Sequence, residues 1–239
     1  MGQSMRVIHD NLQAVRGRIA SAAAAAGRDP RSVTLLAVSK THPAALVEEA
    51  LAAGQQAFGE NYVQEALEKM DALAATAQAP SLTAIEWHLV GPLQSNKTRS
   101  VAARFAWVHT VESAKVARRL SEARPAGMPA LNVLIQVNVS AEASKSGVAP
   151  AEVFPLAKEI AALPRLKLRG LMAIPEPGAD AARYRELTAL YEKLKGEFGV
   201  DTLSVGMSDD METAIAEGST MVRVGTAIFG ARNKIRSAA

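Results

Sequence analysis

A lysine with reactive potential lies at the end of the first apolar run of the chain. Lys40 directly follows the run 34–39 and precedes Pro43, where a helix can begin. Packing around the stem of such a lysine desolvates its amine and lowers its pKa, and the neutral amine is the form that condenses with an aldehyde. Position alone leaves the alternative open, that Lys40 ends a strand and points into solvent.

Two later segments end in residues suited to binding a phosphate. Gly206 and Ser208 follow one β-rich run, and Gly225 and Thr226 follow the next. Loops after strands seven and eight of a (β/α)8 barrel commonly bind phosphate, and glycine lets the backbone approach an anion closely. Helix capping by the two hydroxyl residues is the alternative. The two aspartates after Ser208 oppose a phosphate unless their side chains turn away.

Arg223 is the most informative of the remaining charged residues. By strand alternation it shares a face with Met221 and Gly225, opposite Val222 and Val224. If that face is inward, a buried guanidinium lies near the phosphate-binding loops and needs an anionic or heteroaromatic acceptor. A structural salt bridge is the alternative.

Several other kinds of site are excluded or disfavoured. The chain has no cysteine, which rules out disulfides, thiolate metal sites and cysteine nucleophiles. Its four histidines show no metal-ligand spacing. The segment GMSDD at 206–210 lacks the final glycine of a nucleophile elbow, so a serine hydrolase is rejected.

The elements that position these residues follow a repeating pattern of β-rich apolar runs and helical stretches. Eight strands are predicted, at 34–39, 57–59, 85–90, 107–110, 132–139, 168–174, 202–205 and 221–224. Helical periodicity is found at 44–53, 62–77, 113–124, 150–163 and 181–198, after an amphipathic helix at 4–27. Alternating βα units imply a parallel sheet, and eight of them predict a (β/α)8 TIM-type barrel with an extra N-terminal helix. A Rossmann-like fold is the less favoured alternative, because its dinucleotide-binding motif G-x-G-x-x-G does not follow the first strand.

Composition limits the class of protein. The 239 residues carry a net charge of +3 without a dense Lys/Arg run, so neither charge nor motif predicts nucleic-acid binding. Neither a signal peptide nor an apolar run of about 18 residues is present, so no membrane contact is predicted and a cytoplasmic protein is expected. We expect a single domain over 1–239, with 1–30 forming a helix packed on the barrel.

Seven motifs together resemble the pyridoxal phosphate homeostasis protein family, whose barrel is shared with the N-terminal domain of alanine racemase. They occur in a single order along nearly the whole chain: AVSKT (37–41), FGENYVQE (58–65), WHLVGPLQSNK (87–97), SKSG (144–147), RGLM (169–172), GMSDDME (206–212) and VRVGTAIFG (222–230). Each motif alone is weak, whereas the set is highly specific.

The resemblance implies a role for each matched residue. It implies that Lys40 forms a Schiff base with pyridoxal 5′-phosphate and that Arg223 faces the pyridine nitrogen. The phosphate would be held by Ser208, Gly225 and Thr226, next to the Gly206 already assigned to the phosphate loop, and the ring would be lined by Asn61 and Met172. A guanidinium donates a hydrogen bond but does not readily protonate the ring, which makes the ring a poorer electron sink.

Two functions remain, and the lysine and arginine cannot separate them. One is a binding protein that holds the cofactor reversibly in intracellular homeostasis, passing it transiently to apo-enzymes, as a monomer or weak dimer without robust catalytic activity. The other is an amino-acid racemase of the alanine racemase type.

The racemase needs a second base, for which the family uses a tyrosine of an additional β-domain. Here Ala239 soon follows the eighth strand, and only Tyr62 among the tyrosines is expected near the barrel mouth. The missing second base favours the binding protein over the racemase. A third function, a lysine-dependent aldolase without a cofactor, would not explain Arg223 beside a phosphate site.

Overall fold

The computed structural model describes residues 2–76, 85–140 and 146–231. Its eight strands are all parallel and form a closed barrel in sequence order, β1 pairing with both β2 and β8. The (β/α)8 architecture predicted from the sequence is therefore confirmed. The strands are β1 Thr34–Val38, β2 Ala57–Glu60, β3 Glu86–Leu89, β4 Trp107–Val111, β5 Leu131–Val137, β6 Leu166–Ala173, β7 Thr202–Ser204 and β8 Met221–Val224.

Helices surround the barrel and cover the outward faces of the strands. Within the described residues they are α1 Gly2–Ala25, α2 Ala44–Ala52, α3 Val63–Thr76, α4 Thr98–Arg104, α5 Ala114–Ala123, α6 Val153–Ala161, α7 Ala181–Phe198, α8 Met211–Ala216 and α9 Thr226–Phe229. Of these, α4, α8 and α9 had no predicted bounds, because they are too short to show helical periodicity. The predicted strand 132–139 was too long at its carboxyl end, since β5 stops at Val137.

Each strand packs against the surrounding helices on its outer side and against other strands' side chains on its inner side. Outward residues such as Leu35, Phe58 and Val133 join the large core beneath the helices. Inward residues form smaller clusters in the barrel interior, one of which contains Leu36 and Met221. This alternation explains the nearly continuous apolar runs, because a parallel strand covered on both faces must be apolar on both.

Helix α1 packs against α2, α8 and α9 on the outside of the barrel. Its buried face contains Leu12, Val15 and Ile19 at spacings of three and four residues, as the sequence predicts. Gly27 follows the helix with φ +68°, a left-handed conformation that glycine adopts without steric cost. Among the described residues, the helices are all too short or too polar to cross a membrane.

Candidate functional site

Lys40 lies at the carboxyl end of β1, where it is half-buried. Its neighbour Ser39 is fully buried, and its other neighbour Thr41 has φ +65°. A positive φ is costly for a β-branched residue, so this conformation must be held by surrounding contacts. The contacts come from a largely buried group of polar and charged side chains beneath the turn.

This group, which we term the Lys69 cluster, consists of Ser39, Glu60, Glu65 and Lys69. Lys69 Nζ donates to the backbone oxygen of Ser39 at 2.8 Å and to Glu60 Oε1 at 2.5 Å. It also donates to Glu65 Oε1 at 2.9 Å. Ser39 Oγ donates to Glu60 Oε1 at 2.6 Å, while burial raises the pKa of Glu60 against the opposing effect of Lys69.

The Lys69 cluster fixes the backbone on both sides of Lys40. On one side Ser39 is held through its hydroxyl and its carbonyl oxygen. On the other, the backbone N–H of Thr41 donates to Glu65 Oε1 at 2.6 Å. The side chain of Lys69 is only 4% exposed and that of Glu60 is fully buried, so these charge-assisted bonds are protected from water. The turn that presents Lys40 is thereby held by hydrogen bonds on both sides.

Arg223 points into the barrel from β8 and is 6% exposed. Its Nη1 donates to the backbone oxygen of Ser204 at 2.7 Å and to Ser204 Oγ at 2.9 Å, while Nη2 donates to the backbone oxygen of Ala173 at 2.9 Å. These bonds use three of the five guanidinium N–H groups. Burial lowers the pKa of Arg223 to about 10. The predicted inward face is confirmed, and the acceptors are neutral rather than the carboxylate of a salt bridge.

Gly206 and Gly225 follow the adjacent strands β7 and β8. Gly206 has φ +98°, and a Cβ there would lie 2.6 Å from the Ala214 side chain. A Cβ on Gly225 would lie 3.0 Å from the backbone oxygen of Val38. The positive φ and the close packing of α8 therefore require glycine at Gly206, whereas Gly225 allows β8 to pack tightly against the carboxyl end of β1. Ser208 is half-buried and Thr226 is exposed, and both lie at this same end of the barrel.

The carboxylate of Asp210 is committed to local contacts. Asp210 Oδ1 accepts from the backbone N–H of Met207 at 2.5 Å, and Oδ2 accepts from the hydroxyl of Tyr184 at 2.6 Å. Both oxygens are thus turned toward donors within the protein. Nearby, Arg18 of α1 donates to the backbone oxygen of Ser208 at 3.0 Å, which ties the N-terminal helix to this loop.

A cavity of about 660 Å³ opens at the same end of the barrel. Of the predicted site residues, Asn61 lines it, whereas Met172 is fully buried with Trp107 and Leu134 in the barrel interior. The other predicted residues are not part of its wall: Lys40, Gly206, Ser208, Arg223, Gly225 and Thr226. The wall comes mainly from the ends of β2 to β7, and includes Asn61, Gly91, Thr110, Gln136, Tyr184 and Asp210. Ser144 and Lys145 of the SKSG motif lie outside the described residues.

Sequence reasoning missed two features of this region. Glu65 and Lys69, at helical spacing, are typical of a solvated surface pair, but α3 begins so close to the end of β2 that they are turned inward. The expectation that only Tyr62 lies near the mouth was wrong. Tyr184 lines the cavity from α7, and burial, together with its bond to Asp210, raises its pKa above the ordinary value.

Comparisons with known proteins agree with the motifs. Residues 11–233 match the family described as alanine racemase, N-terminal domain. The pyridoxal phosphate homeostasis protein of Pseudomonas aeruginosa is 58% identical over 231 residues, which cover 96% of this chain and 97% of that protein. Its counterpart in Escherichia coli K12 is 53% identical over 234 residues, covering 96% of this chain and 98% of that protein.

Solved structures of similar proteins share the barrel fold of this chain. PipY of Synechococcus elongatus PCC7942, solved with PLP bound, has a TM-score of 0.77 at 35% identity, covering 93% of this chain and all (100%) of PipY. Alanine racemase of Corynebacterium glutamicum has a TM-score of 0.66 at 20% identity, covering 97% of this chain and 62% of the racemase, and shares the fold alone. The chain therefore belongs to the alanine racemase N-terminal domain family and, within it, to the pyridoxal phosphate homeostasis proteins.

Proposed function

We propose that this protein binds pyridoxal 5′-phosphate reversibly through Lys40 and acts in the homeostasis of the cofactor. One observation carries the proposal: Lys40 follows β1 by two residues in a turn held by hydrogen bonds, and the buried Arg223 lies on the neighbouring strand β8, so both are near the same end of the barrel. The names of the close relatives and the cofactor bound in PipY support the identity of the ligand.

Lys40 is the residue that would hold the aldehyde. Its amine nitrogen would attack the aldehyde carbon, and a Schiff base forms as water leaves. When bound, the cofactor supplies an electrophilic carbon and a conjugated ring that can accept electrons. The hydrogen bonds at Ser39 and Thr41 fix the backbone from which the lysine side chain extends, which reduces the entropy lost on binding.

Arg223 would face the pyridine nitrogen. Three of its N–H groups are used by protein acceptors, so two remain for a ligand acceptor. A guanidinium with a pKa of about 10 stays protonated at neutral pH and donates a hydrogen bond without giving up its proton. Arg223 would therefore orient the ring while leaving it a weak electron sink, which suits binding better than carbanion chemistry.

The residues present fit a phosphate at the ends of β7 and β8. Gly206, Ser208, Gly225 and Thr226 would hold it, because the two glycines leave backbone groups accessible and the hydroxyls add donors. Of the two aspartates after Ser208, Asp210 does not oppose a phosphate, since both of its carboxylate oxygens already accept bonds from Met207 and Tyr184. Asp209 is exposed and lines the cavity, so the objection stands for that residue.

Racemisation is the second candidate function, and Tyr184 is the side chain to consider as its second base. Tyr184 lies in the cavity wall, but burial raises the pKa of its hydroxyl. That hydroxyl also donates a hydrogen bond to Asp210. A base with a raised pKa is mostly protonated at neutral pH and is poorly suited to abstract a proton. The relatives are also named as homeostasis proteins rather than racemases.

The test of binding is the visible spectrum of the purified protein mixed with pyridoxal phosphate. The wild-type protein is expected to be yellow, with the absorption band of a lysine Schiff base that borohydride reduction converts to a stable adduct on Lys40. Lys40→Ala should lose the band, whereas Lys195→Ala, on the surface of α7, should keep it. A colourless wild-type protein, or a band retained in Lys40→Ala, contradicts the proposal.

Homeostasis is tested separately by mixing the loaded protein with an apo-enzyme that requires the cofactor. Recovery of that enzyme's activity, faster than release into buffer explains, supports transient transfer to recipient enzymes. Racemisation of L-alanine at roughly 1 s⁻¹ or faster would instead favour the enzymatic alternative.

A further inference from the structure

A chain of polar side chains runs through the barrel interior beneath Arg223. Ser204 Oγ, which accepts from Arg223, lies 3.2 Å from His109 Nδ1. His109 Nε2 lies 2.9 Å from His88 Nδ1. His88 Nε2 in turn lies 3.7 Å from Glu86 Oε2, at the amino-terminal end of β3. Four strands, β8, β7, β4 and β3, each contribute to this chain, and both histidines are fully buried.

The end at Arg223 sets the direction of the hydrogen bonds. A guanidinium can only donate, so the Ser204 oxygen is an acceptor toward Arg223. The hydroxyl proton of Ser204 then needs an acceptor, and among the described residues His109 Nδ1 is the one within reach. His109 Nδ1 must therefore be unprotonated. An unprotonated Nδ1 also avoids directing an imidazole N–H group toward the cationic Arg223.

The Glu86 end of the chain favours the same direction of hydrogen-bond donation. If His109 Nδ1 is the acceptor, its Nε2 carries the proton and donates to His88 Nδ1. His88 then carries its own proton on Nε2, which lies 3.7 Å from the Glu86 carboxylate, within range of a charge interaction but too far for a direct hydrogen bond. The reverse arrangement would place the lone pair of Nε2 against an anion. A cation at one end and a carboxylate at the other thus select a single arrangement.

Both histidines must be neutral for this arrangement to exist, because an imidazolium donates from both nitrogens. Burial lowers the pKa of His109 well below its ordinary value, and the neighbouring His88 and Arg223 lower it further. Burial also lowers the pKa of His88 in spite of Glu86.

We propose that Ser204 and His109 are positioning residues for Arg223, and that His88 holds His109 in the tautomer protonated on Nε2. The Ser204 hydroxyl can accept from Arg223 in a fixed orientation because His109 takes its proton. The consequence for the cofactor rests on the proposed function: the chain holds the guanidinium so that its remaining N–H groups face the pyridine nitrogen.

The first test measures the tautomers without any cofactor. Long-range ¹⁵N–¹H correlation spectra of the wild-type protein, assigned by comparison with the His88→Asn and His109→Asn variants, should show Nδ1 unprotonated and Nε2 protonated in both rings. A proton on Nδ1 of either histidine, or a doubly protonated ring at neutral pH, overturns the proposal. This outcome does not depend on whether the protein binds pyridoxal phosphate.

The second test compares His109→Asn with His109→Leu, which have nearly the same shape. Asparagine keeps an acceptor oxygen near the position of Nδ1, whereas leucine removes it. Leucine should weaken pyridoxal phosphate binding roughly tenfold or more, the size expected when a bond to a charged group is disturbed. It should also shift the absorption maximum of the bound cofactor. Asparagine should largely restore both properties.

Equal affinities and identical spectra for the two His109 variants would overturn the positioning role. Ser204→Ala provides an independent check, since it should weaken binding by a similar factor. If His109→Leu does not fold, the tautomer measurement on the wild-type protein still decides the arrangement. Failure of the wild-type protein to bind the cofactor would contradict the proposed function, while the tautomers would still be measured.

Discussion

At the scale of single residues, loss of the buried Lys69 side chain should strongly lower the stability of the folded protein. Lys69→Met is expected to lower the free energy of unfolding by roughly 3–5 kcal/mol, because it leaves Glu60 buried without a partner cation. Burial already raises the pKa of Glu60. In the variant we expect the folded state to take up a proton there, so the loss of stability should increase as the pH rises above about 4.3, the ordinary pKa of glutamate. Urea unfolding at neutral and acidic pH measures this.

Arg118→Met is the control for that experiment. Arg118 pairs with Glu159 at 3.0 Å, but both side chains are more than half exposed. Such pairs contribute about 0–1 kcal/mol, so the control should change little at any pH. A Lys69→Met variant that is as stable as the control would show that the Lys69 cluster does not hold the turn at Lys40.

At the scale of secondary structure elements, β6 contains an irregularity at Gly170. The register with β5 shifts between Val133 and Leu134, so that Arg169 is the extra residue of a bulge. Gly170 has φ +143°, and a Cβ there would lie 1.9 Å from the backbone oxygen of Thr202 on β7. The close approach of β6 and β7 therefore requires glycine.

Gly170→Ala is expected to destabilise the protein by well over 1 kcal/mol, because neither its φ nor its surroundings accept a side chain. The matched change Gly196→Ala, in α7, should stabilise it by about 0.5–1 kcal/mol, since a Cβ there meets open space and alanine favours a helix. Thermal unfolding of the two variants should shift in opposite directions, and shifts of the same sign would contradict this account.

Helix α1 should be held to α8 more weakly in acid. Arg18 Nε donates to Glu212 Oε1 at 2.7 Å, and this bond lowers the pKa of Glu212. A lowered pKa in the folded state contributes stability above the ordinary pKa of about 4.3, and the contribution is lost as the pH falls through the lowered value. The pair is about half exposed, so a contribution below about 1 kcal/mol is expected. The difference in unfolding free energy between wild type and Arg18→Met should therefore become smaller as the pH falls below about 4.3, and the part that remains in acid reflects the bond from Arg18 to the backbone oxygen of Ser208.

The order of elements could be predicted from the sequence because it follows from local patterns. Continuous apolar runs mark strands covered on both faces, and α1 and α7 are long enough to show helical periodicity. Their ends were less predictable, since β5 stops at Val137 although the apolar pattern continues through Val139. Short helices such as α8, with six residues, contain too few turns to show a period.

The site was predictable in part for a related reason. Lys40 and the glycines at positions 206 and 225 follow strands directly, so the barrel topology places them at one end. The Lys69 cluster and Tyr184 were missed because their burial depends on how α3 and α7 lie against the barrel. No local pattern distinguishes a buried Glu65–Lys69 pair from an exposed one, since both have the same spacing.

At the scale of the whole molecule, ligand binding should stabilise the fold. A ligand present at about 100 times its dissociation constant raises the free energy of unfolding by about 2.7 kcal/mol. Pyridoxal phosphate should therefore raise the melting temperature of the wild-type protein more than pyridoxal or inorganic phosphate at the same concentration. The excess should be smaller in Lys40→Ala, which keeps the phosphate-binding loops. Equal shifts in the two proteins would show that Lys40 adds nothing to binding.

Closure of the barrel also affects how the chain is made. The side chain of Asn11 donates to the backbone oxygen of Ile228 across 217 residues, and β1 gains one of its two partners only when β8 is present. A chain emerging from the ribosome therefore exposes one edge of β1 until nearly all of it has been synthesised. Contacts of such long sequence separation form slowly, and unpaired edges favour aggregation. The first strand to be translated is thus the one whose edge stays unpaired longest during synthesis.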